Sequence, residues 1–290
     1  MDNFAIVTDS SCDLTAQMAA ELELSVAPLS VLLDGQTYMN YLDGREIAFS
    51  DFYAAMRADK PAKTSAVNID AFLRLMEPLL QAGRDVLYLG FSSALSGTYQ
   101  CGASAAQTLS EKYPQRKIYA VDTLAASLGE GLLIYLAVQQ KRAGKSIEEV
   151  RDFVEQNKLH LCHWFTVDDL HFLKRGGRIS AATELVGTML GIKPVMHMDD
   201  EGRLVKVEIA KGRKASIRRL KDKMAQSAID PQNQVVFITH GDCRAEAEQL
   251  ADLIREQMSP KSIEINYVGP VIGAHSGPGT LALFFLGDHR

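Results

Sequence analysis

Short apolar runs alternate with amphipathic stretches from the first residues onward. Phe4-Ala5-Ile6-Val7 is a continuous apolar run of strand length, and Asp13 or Thr15 can cap the helix that follows it. Val26 to Leu29 begins the next strand. Ile69, Phe72, Leu73, Leu75, Met76, Leu79 and Leu80 recur at helical spacing, and Gly83 stops that helix. Residues 86–91 read as a buried strand, residues 97–109 as a helix, and residues 117–121 as the fourth strand of the first half. Two helices, over about 124–143 and 147–156, flank Gly144 and close that half. The pattern restarts near Asn157-Lys158, with strand-like runs at 160–166, 192–198, 203–209, 235–239 and 262–268. Asp199-Asp200-Glu201-Gly202 is a turn signal between two of these runs, so the second sheet should be mixed and contain an antiparallel hairpin. Strands alternating with helices imply an α/β protein whose first sheet is largely parallel. No low-complexity linker separates residues 1–158 from 159–290, so the two halves are expected to pack closely around a cleft.

Composition narrows the classes of partner. The 290 residues are 47% hydrophobic and 23% charged, enough for two real cores, and a formal charge of −5 gives no general attraction to nucleic acid. No basic segment followed by an apolar one opens the chain, and no run approaches the length of a membrane span, so a cytoplasmic protein is expected. Cys12, Cys101, Cys162 and Cys243 are scattered and signal neither disulfides nor zinc. His160 and His163 point to opposite faces of a strand and make a poor metal pair; no metal site is expected.

Two loops carry candidate chemistry. In Phe91-Ser92-Ser93-Ala94-Leu95-Ser96-Gly97-Thr98 a buried strand turns into a helix, which aims backbone N–H groups and the positive end of the helix dipole beyond the strand. The hydroxyls add donors for an anion, and the segment has neither a Walker lysine nor G-x-G-x-x-G spacing. Val271 to Thr280 reads as a second junction of the same kind, with Pro278 opening a helix through the apolar run 281–286 and His275 and Ser276 beside the anion. Thr64 and Ser65 lie just before the Ile69 helix as capping residues. Thr8-Asp9-Ser10-Ser11 also follows a strand, as at a topological switch point.

Taken together, Thr8-Asp9-Ser10-Ser11-Cys12-Asp13-Leu14, Ser92-Ser93-Ala94-Leu95-Ser96-Gly97-Thr98-Tyr99-Gln100, Gly176-Gly177-Arg178-Ile179 and His275-Ser276-Gly277-Pro278-Gly279-Thr280 resemble the motifs of the DegV family across essentially the whole chain. The resemblance implies a three-layer α/β/α domain with a parallel sheet, a two-layer α/β domain with a mixed sheet, and one fatty acid bound between them. It further implies a lipid-binding subunit without catalytic activity of its own. A separate ATP-binding kinase subunit would convert the presented carboxylate to acyl phosphate. Carried over by position, the carboxylate site comprises Thr64, Ser65, Ser93, Ser96, Gly97, Thr98, His275 and Ser276, with no cofactor beyond the bound lipid. Where the family often reads Thr-Ser-Gln-Pro-Ser, this chain has Thr64-Ser65-Ala66-Val67-Asn68.

Elementary energetics agree with a lipid. Burying some fifteen methylenes at about 0.8 kcal/mol each contributes roughly 12 kcal/mol before ordering costs, so the tail holds the ligand and the head group orients it. Leu185, Val186, Met189, Leu190, Ile192, Val195 and Met196 are candidate tunnel lining. Nine basic residues between Arg203 and Lys223 face only Glu208 and Asp222. Arg203, Lys211 and Arg213, extended by Arg178, are the expected docking surface for a kinase subunit or, transiently, an anionic membrane. The competing reading is a serine hydrolase using Ser93 or Ser96 with His275 and an acid such as Asp122 or Asp9.

Overall fold

A computed structural model of the chain describes residues 3–179 and 191–290. In chain order the first half runs β1 (Phe4–Asp9), α1 (Ala16–Glu21), β2 (Ser25–Ala27), β3 (Ser30–Leu33), β4 (Gln36–Met39), α2 (Phe49–Arg57) and β5 (Ala62–Ser65). It continues with α3 (Ile69–Gln81), β6 (Asp85–Gly90), α4 (Thr98–Lys112), β7 (Ile118–Asp122), α5 (Leu128–Arg142) and α6 (Ile147–Asn157). Then follow β8 (Leu161–Thr166), α7 (His171–Arg175), β9 (Ile192–Met198), β10 (Leu204–Lys211) and α8 (Arg213–Ser227). The last elements are β11 (Val235–His240), α9 (Arg244–Met258), β12 (Ser262–Tyr267), α10 (Pro270–Ser276) and β13 (Leu281–Leu286).

The first sheet is all-parallel with order β2-β1-β6-β7, so the chain moves outward in opposite directions from β1 and β6, and the ends of those two strands flank the switch point. Alternation along the strands divides its two faces. Val7, Val86 and Tyr88 pack against Phe72, Met76, Ala105 and Leu109 of α3 and α4. Phe4, Ile6, Leu87 and Leu89 pack against Leu132, Val150 and Val154 of α5 and α6. That is the three-layer arrangement.

A six-stranded mixed sheet, β10-β9-β8-β13-β11-β12, is antiparallel except for β11 with β12. One face buries Leu281, Leu283 and Phe285 under α8 and α9. The other presents Phe165, Met196, Phe237 and Phe284 to the same core that holds α5, so a single apolar cluster runs from one sheet to the other. The turn at 199–202 joins β9 to β10 as the sequence implies, with Arg203 N donating to Asp199 Oδ1 at 2.8 Å.

Several elements differ from expectation. Residues 281–286 form not a helix but β13, in the interior of the second sheet. Six successive apolar residues carry no 3.6-residue period, and a strand covered on both faces has the same appearance. An unforeseen three-stranded antiparallel sheet, β4-β3-β5, projects from the first half. Its hairpin turns on Asp34-Gly35, where both residues have positive φ (49° and 86°), the geometry that favours Asp-Gly pairs. Thr64 and Ser65 therefore lie in β5, paired with Val31 and Ser30, and Asn68 is the residue that caps α3 by accepting from Ala71 N.

Candidate functional site

At the switch point buried carboxyls act as structural ties. Asp9 is fully buried at the end of β1 and accepts from Ser11 N (3.0 Å), Phe91 N (3.3 Å) and Tyr88 Oη (3.4 Å), so it draws the ends of β1 and β6 together; burial raises its pKa. Asp13, in the left-handed region at φ 51°, accepts from Ser127 Oγ (2.5 Å) and from Gly269 N (3.0 Å) at the start of α10. Burial pushes its pKa up to about 7. Glu130 is also fully buried, with Thr8 Oγ1 donating to Oε1 at 2.9 Å and its own pKa pushed well up by burial.

Beside these ties, between the switch point and the inner face of the second sheet, lies one cavity. Its volume is about 180 Å³, at the small end for ligand pockets, and its wall is mostly apolar, which favours an aliphatic chain over a nucleotide. Phe91, Leu95, Phe165, Leu173, Met198 and Phe284 supply apolar wall. Thr64, Ser96, Gly97, Arg178, His275 and Ser276 supply polar atoms.

Those polar groups come from four separate elements. Thr64 is on β5, and its Oγ1 lies 2.7 Å from His275 Nε2, across 211 positions of sequence. Ser276 Oγ and His275 Nδ1 are buried and without a hydrogen-bond partner among the described residues. An unpaired ring nitrogen is tolerated better than an unpaired N–H, so the His275 proton belongs on Nε2, donated to Thr64 Oγ1. The Thr64 hydroxyl proton then remains for an acceptor in the cavity. Burial, with Arg178 and Arg175 adding to it, lowers the His275 pKa to about 4, so the ring is neutral near pH 7. Positive charge comes instead from Arg178, whose Nε donates to Leu95 O (3.2 Å) and Nη1 to Gly176 O (2.6 Å), fastening it between α7 and the serine loop.

The second loop is therefore built the other way round from the sequence reading. α10 comes first, Pro270 and not Pro278 sits in its opening turn, and His275 and Ser276 end it, so no helix dipole of positive sign meets the ligand there. In the serine loop, Ser96 Oγ accepts from Thr98 N (3.2 Å) and lies 2.9 Å from Thr98 Oγ1, while Thr98 itself is buried away from the cavity. Ser65 and Ser93 are exposed and do not line it. Ser92 is turned inward, its Oγ donating to Gly202 O of the β9–β10 turn at 2.8 Å.

Of the expected tunnel lining, Leu185, Val186, Met189 and Leu190 lie outside the described residues. Val195 packs with α8 and α9 and Met196 with the inter-sheet core, and neither they nor Ile192 line the cavity. Of the basic docking residues, Arg203 and Lys211 are exposed. Arg178 belongs to the cavity, and Arg213 is occupied by Glu246 Oε2, 2.6 Å from Nη2. Sequence reasoning missed the inner wall, Ser127 at the start of α5 and His163, Thr239, Ala282 and Phe284 on the second sheet, because no motif marks residues whose common property is a shared sheet face or the helix laid against it.

For a nucleophile–histidine–acid arrangement the described residues offer little. His275 Nε2 faces Thr64, Asp9 holds backbone and Tyr88, and Asp122 Oδ1 accepts from the backbone N–H groups of Ser93 (3.2 Å) and Leu124 (3.1 Å). Among the described residues no group of His, Cys, Asp and Glu is placed to hold a metal ion, and no helix is long and apolar enough to cross a membrane.

A model of the DegV family, described as uncharacterised proteins, matches residues 3–288. A DegV domain-containing protein of Clostridium perfringens is 46% identical over 290 residues, covering 100% of this chain and 99% of its own. A DegV-family protein of Thermus thermophilus, described for its fatty acid binding, superposes with a TM-score of 0.89 at 30% identity, over 98% of this chain and 99% of its own. The Bacillus subtilis DegV, described as a fatty acid binding protein, gives a TM-score of 0.86 at 26% identity, over 99% and 100% of the two chains.

Proposed function

Because this chain belongs to the DegV family, we propose that it binds one long-chain fatty acid in this cavity and presents the carboxylate to a partner kinase subunit for ATP-dependent formation of acyl phosphate. The observation that carries the binding half is a largely apolar cavity whose polar lining is gathered around His275: the Ser276 hydroxyl, which has no partner among the described residues, the Thr64 hydroxyl proton left free by the bond from His275, Ser96, and the Arg178 guanidinium. Buried hydroxyls without partners are rare, and a carboxylate would accept from Ser276 and Thr64 together. Relatives described as fatty acid binding proteins support the same ligand. Residues 1–158 and 159–290 then act as two lobes with the lipid between them.

In this reading the carboxylate accepts from Thr64, Ser276 and Arg178, while His275 positions Thr64 and, being neutral, adds no charge. Two negative charges, carboxylate and incoming phosphate, must approach each other, and Arg178 is placed to lessen their repulsion. Ser93 of the serine loop, Arg203 just before β10 and Lys211 at its end are exposed and available to the kinase subunit or an anionic membrane.

The test begins with denaturing extraction and mass spectrometry of lipid from the purified protein, followed by incubation of the loaded protein with ATP and a fatty acid kinase ATP-binding subunit. Acyl phosphate is trapped with hydroxylamine as the hydroxamate. Lipid release unmodified on denaturation and ATP-dependent hydroxamate are expected; retained lipid without hydroxamate would remove the kinase half alone. Thr64→Val keeps the shape of β5 but loses the hydroxyl. It is expected to weaken fatty acid retention roughly 10–100-fold, the loss of one hydrogen bond to a charged group. Retention equal to the parent protein would displace the head group from this end.

A further inference from the structure

We infer that the inner face of the second sheet is a length gauge for the bound acyl chain: Ala282 opens a furrow across it, and the His163–Phe284 pair ends that furrow. The inference rests on the fatty acid reading above and adds which chains the site accepts. Register places Phe165 on β8, Ala282 on β13 and Thr239 on β11 side by side, and all three line the cavity. Ala282 is the small member of that row, flanked by a phenylalanine and a β-branched residue. Two residues along, on the same face, the next row brings His163 against Phe284, edge to face at 5.3 Å between ring centres.

The pair is a rigid stop. His163 Nδ1 donates to Leu161 O (3.1 Å), and Nε2 accepts from Ala126 N (3.3 Å), so both ring nitrogens are occupied and the ring cannot turn without losing a bond. Burial keeps it neutral, and only its carbon edge is left for the cavity. Behind it Gly129 of α5 lies so close that a Cβ there would overlap both His163 and Phe284.

The stop is at the far end from the carboxylate site. Ala126 adjoins Ser127, which Asp13 joins to Gly269 at the start of α10, whereas His275 and Ser276 end that helix. The seven residues of α10 set the two ends of that helix about 10 Å apart, a separation of helix ends and not the length of the furrow.

The experiment loads delipidated protein with an equimolar mixture of straight saturated acids from decanoic to octadecanoic acid and reads the retained distribution by mass spectrometry. Ala282→Leu fills the furrow and is expected to depress the longest retained acids roughly tenfold or more against the shorter ones, the usual discrimination for displaced methylenes. Phe165→Leu lowers one wall and is expected to shift the distribution toward longer acids; it decides the matter alone if Ala282→Leu does not fold. An unchanged distribution in a folded variant overturns the gauge. Parent protein that retains no acid of any length overturns the fatty acid reading itself.

Discussion

Asp13→Asn is expected to stabilise the protein at pH 8 and to leave it little changed at pH 4. The Asp13 carboxyl has a folded-state pKa of about 7 against 3.8 for an unburied aspartate, chiefly because of burial, with the charge of Asp9 adding to the rise. Its contribution is thus fully present below about pH 3.8, declines as pH rises, and is lost once pH passes 7; the full difference corresponds to about 4 kcal/mol. Asparagine can take over the geometry. Its Oδ1 accepts from Gly269 N, its amide donates to Ser127 Oγ, and Ser127 can turn its proton to Thr239 Oγ1, 3.3 Å away. Asparagine also tolerates the left-handed backbone at φ 51°. Urea midpoints measured from pH 4 to 8 should diverge between the two proteins, with the gap opening mostly between pH 4 and 7. A constant gap, or a less stable variant at pH 8, would falsify the assignment. Asp9 and Glu130, whose pKa values burial also raises, make the parent protein itself lose stability over the same direction of pH.

Arg290→Met should cost about 2–4 kcal/mol of stability, through loss of donors and not of packing. Arg290 is 8% exposed, and its guanidinium donates to Leu161 O (3.1 Å), Asp199 O (3.1 Å) and Lys158 O (2.6 Å). Burial lowers its pKa to about 10, which leaves it charged at neutral pH. Methionine keeps most of the apolar stem but removes three hydrogen bonds from a charged donor, each worth about 1 kcal/mol; Leu161 O keeps its bond from His163 Nδ1 and Asp199 O its bond from Gly202 N, so Lys158 O is the one carbonyl left without a partner among the described residues. Lysine should recover only part of the loss, because a single ammonium cannot reach three divergent acceptors as a planar fork does. The consequence extends to the cavity: the clasped residue Asp199 begins the β9–β10 turn, whose Gly202 O accepts from Ser92 and whose neighbours Met198 and Leu204 are cavity wall. An unfolding free energy from denaturant titration within about 0.5 kcal/mol of the parent would show that the clasp adds nothing.

The amino-acid order by itself determined the α/β class, β1 and β6 with their polar ends, and the hairpin at 199–202. In each case a local pattern has a single physical solution: an apolar run closed by hydroxyls, or an Asp- and Gly-rich break between strands. Motif by motif it also marked Thr64, Ser96, Gly97, His275 and Ser276, all of which the cavity gathers. The tertiary structure alone decided the rest. Residues 281–286 are a strand because both their faces are covered, by α8 and α9 on one side and the inter-sheet core on the other, and coverage is not a local property. Thr64 became the partner of His275 only when β5 was laid beside α10, and Arg178 entered the cavity only through its bonds to Leu95 and Gly176. Contacts between residues far apart in the chain leave no periodicity in it, so a row such as Phe165, Ala282 and Thr239 exists only once three strands are in register.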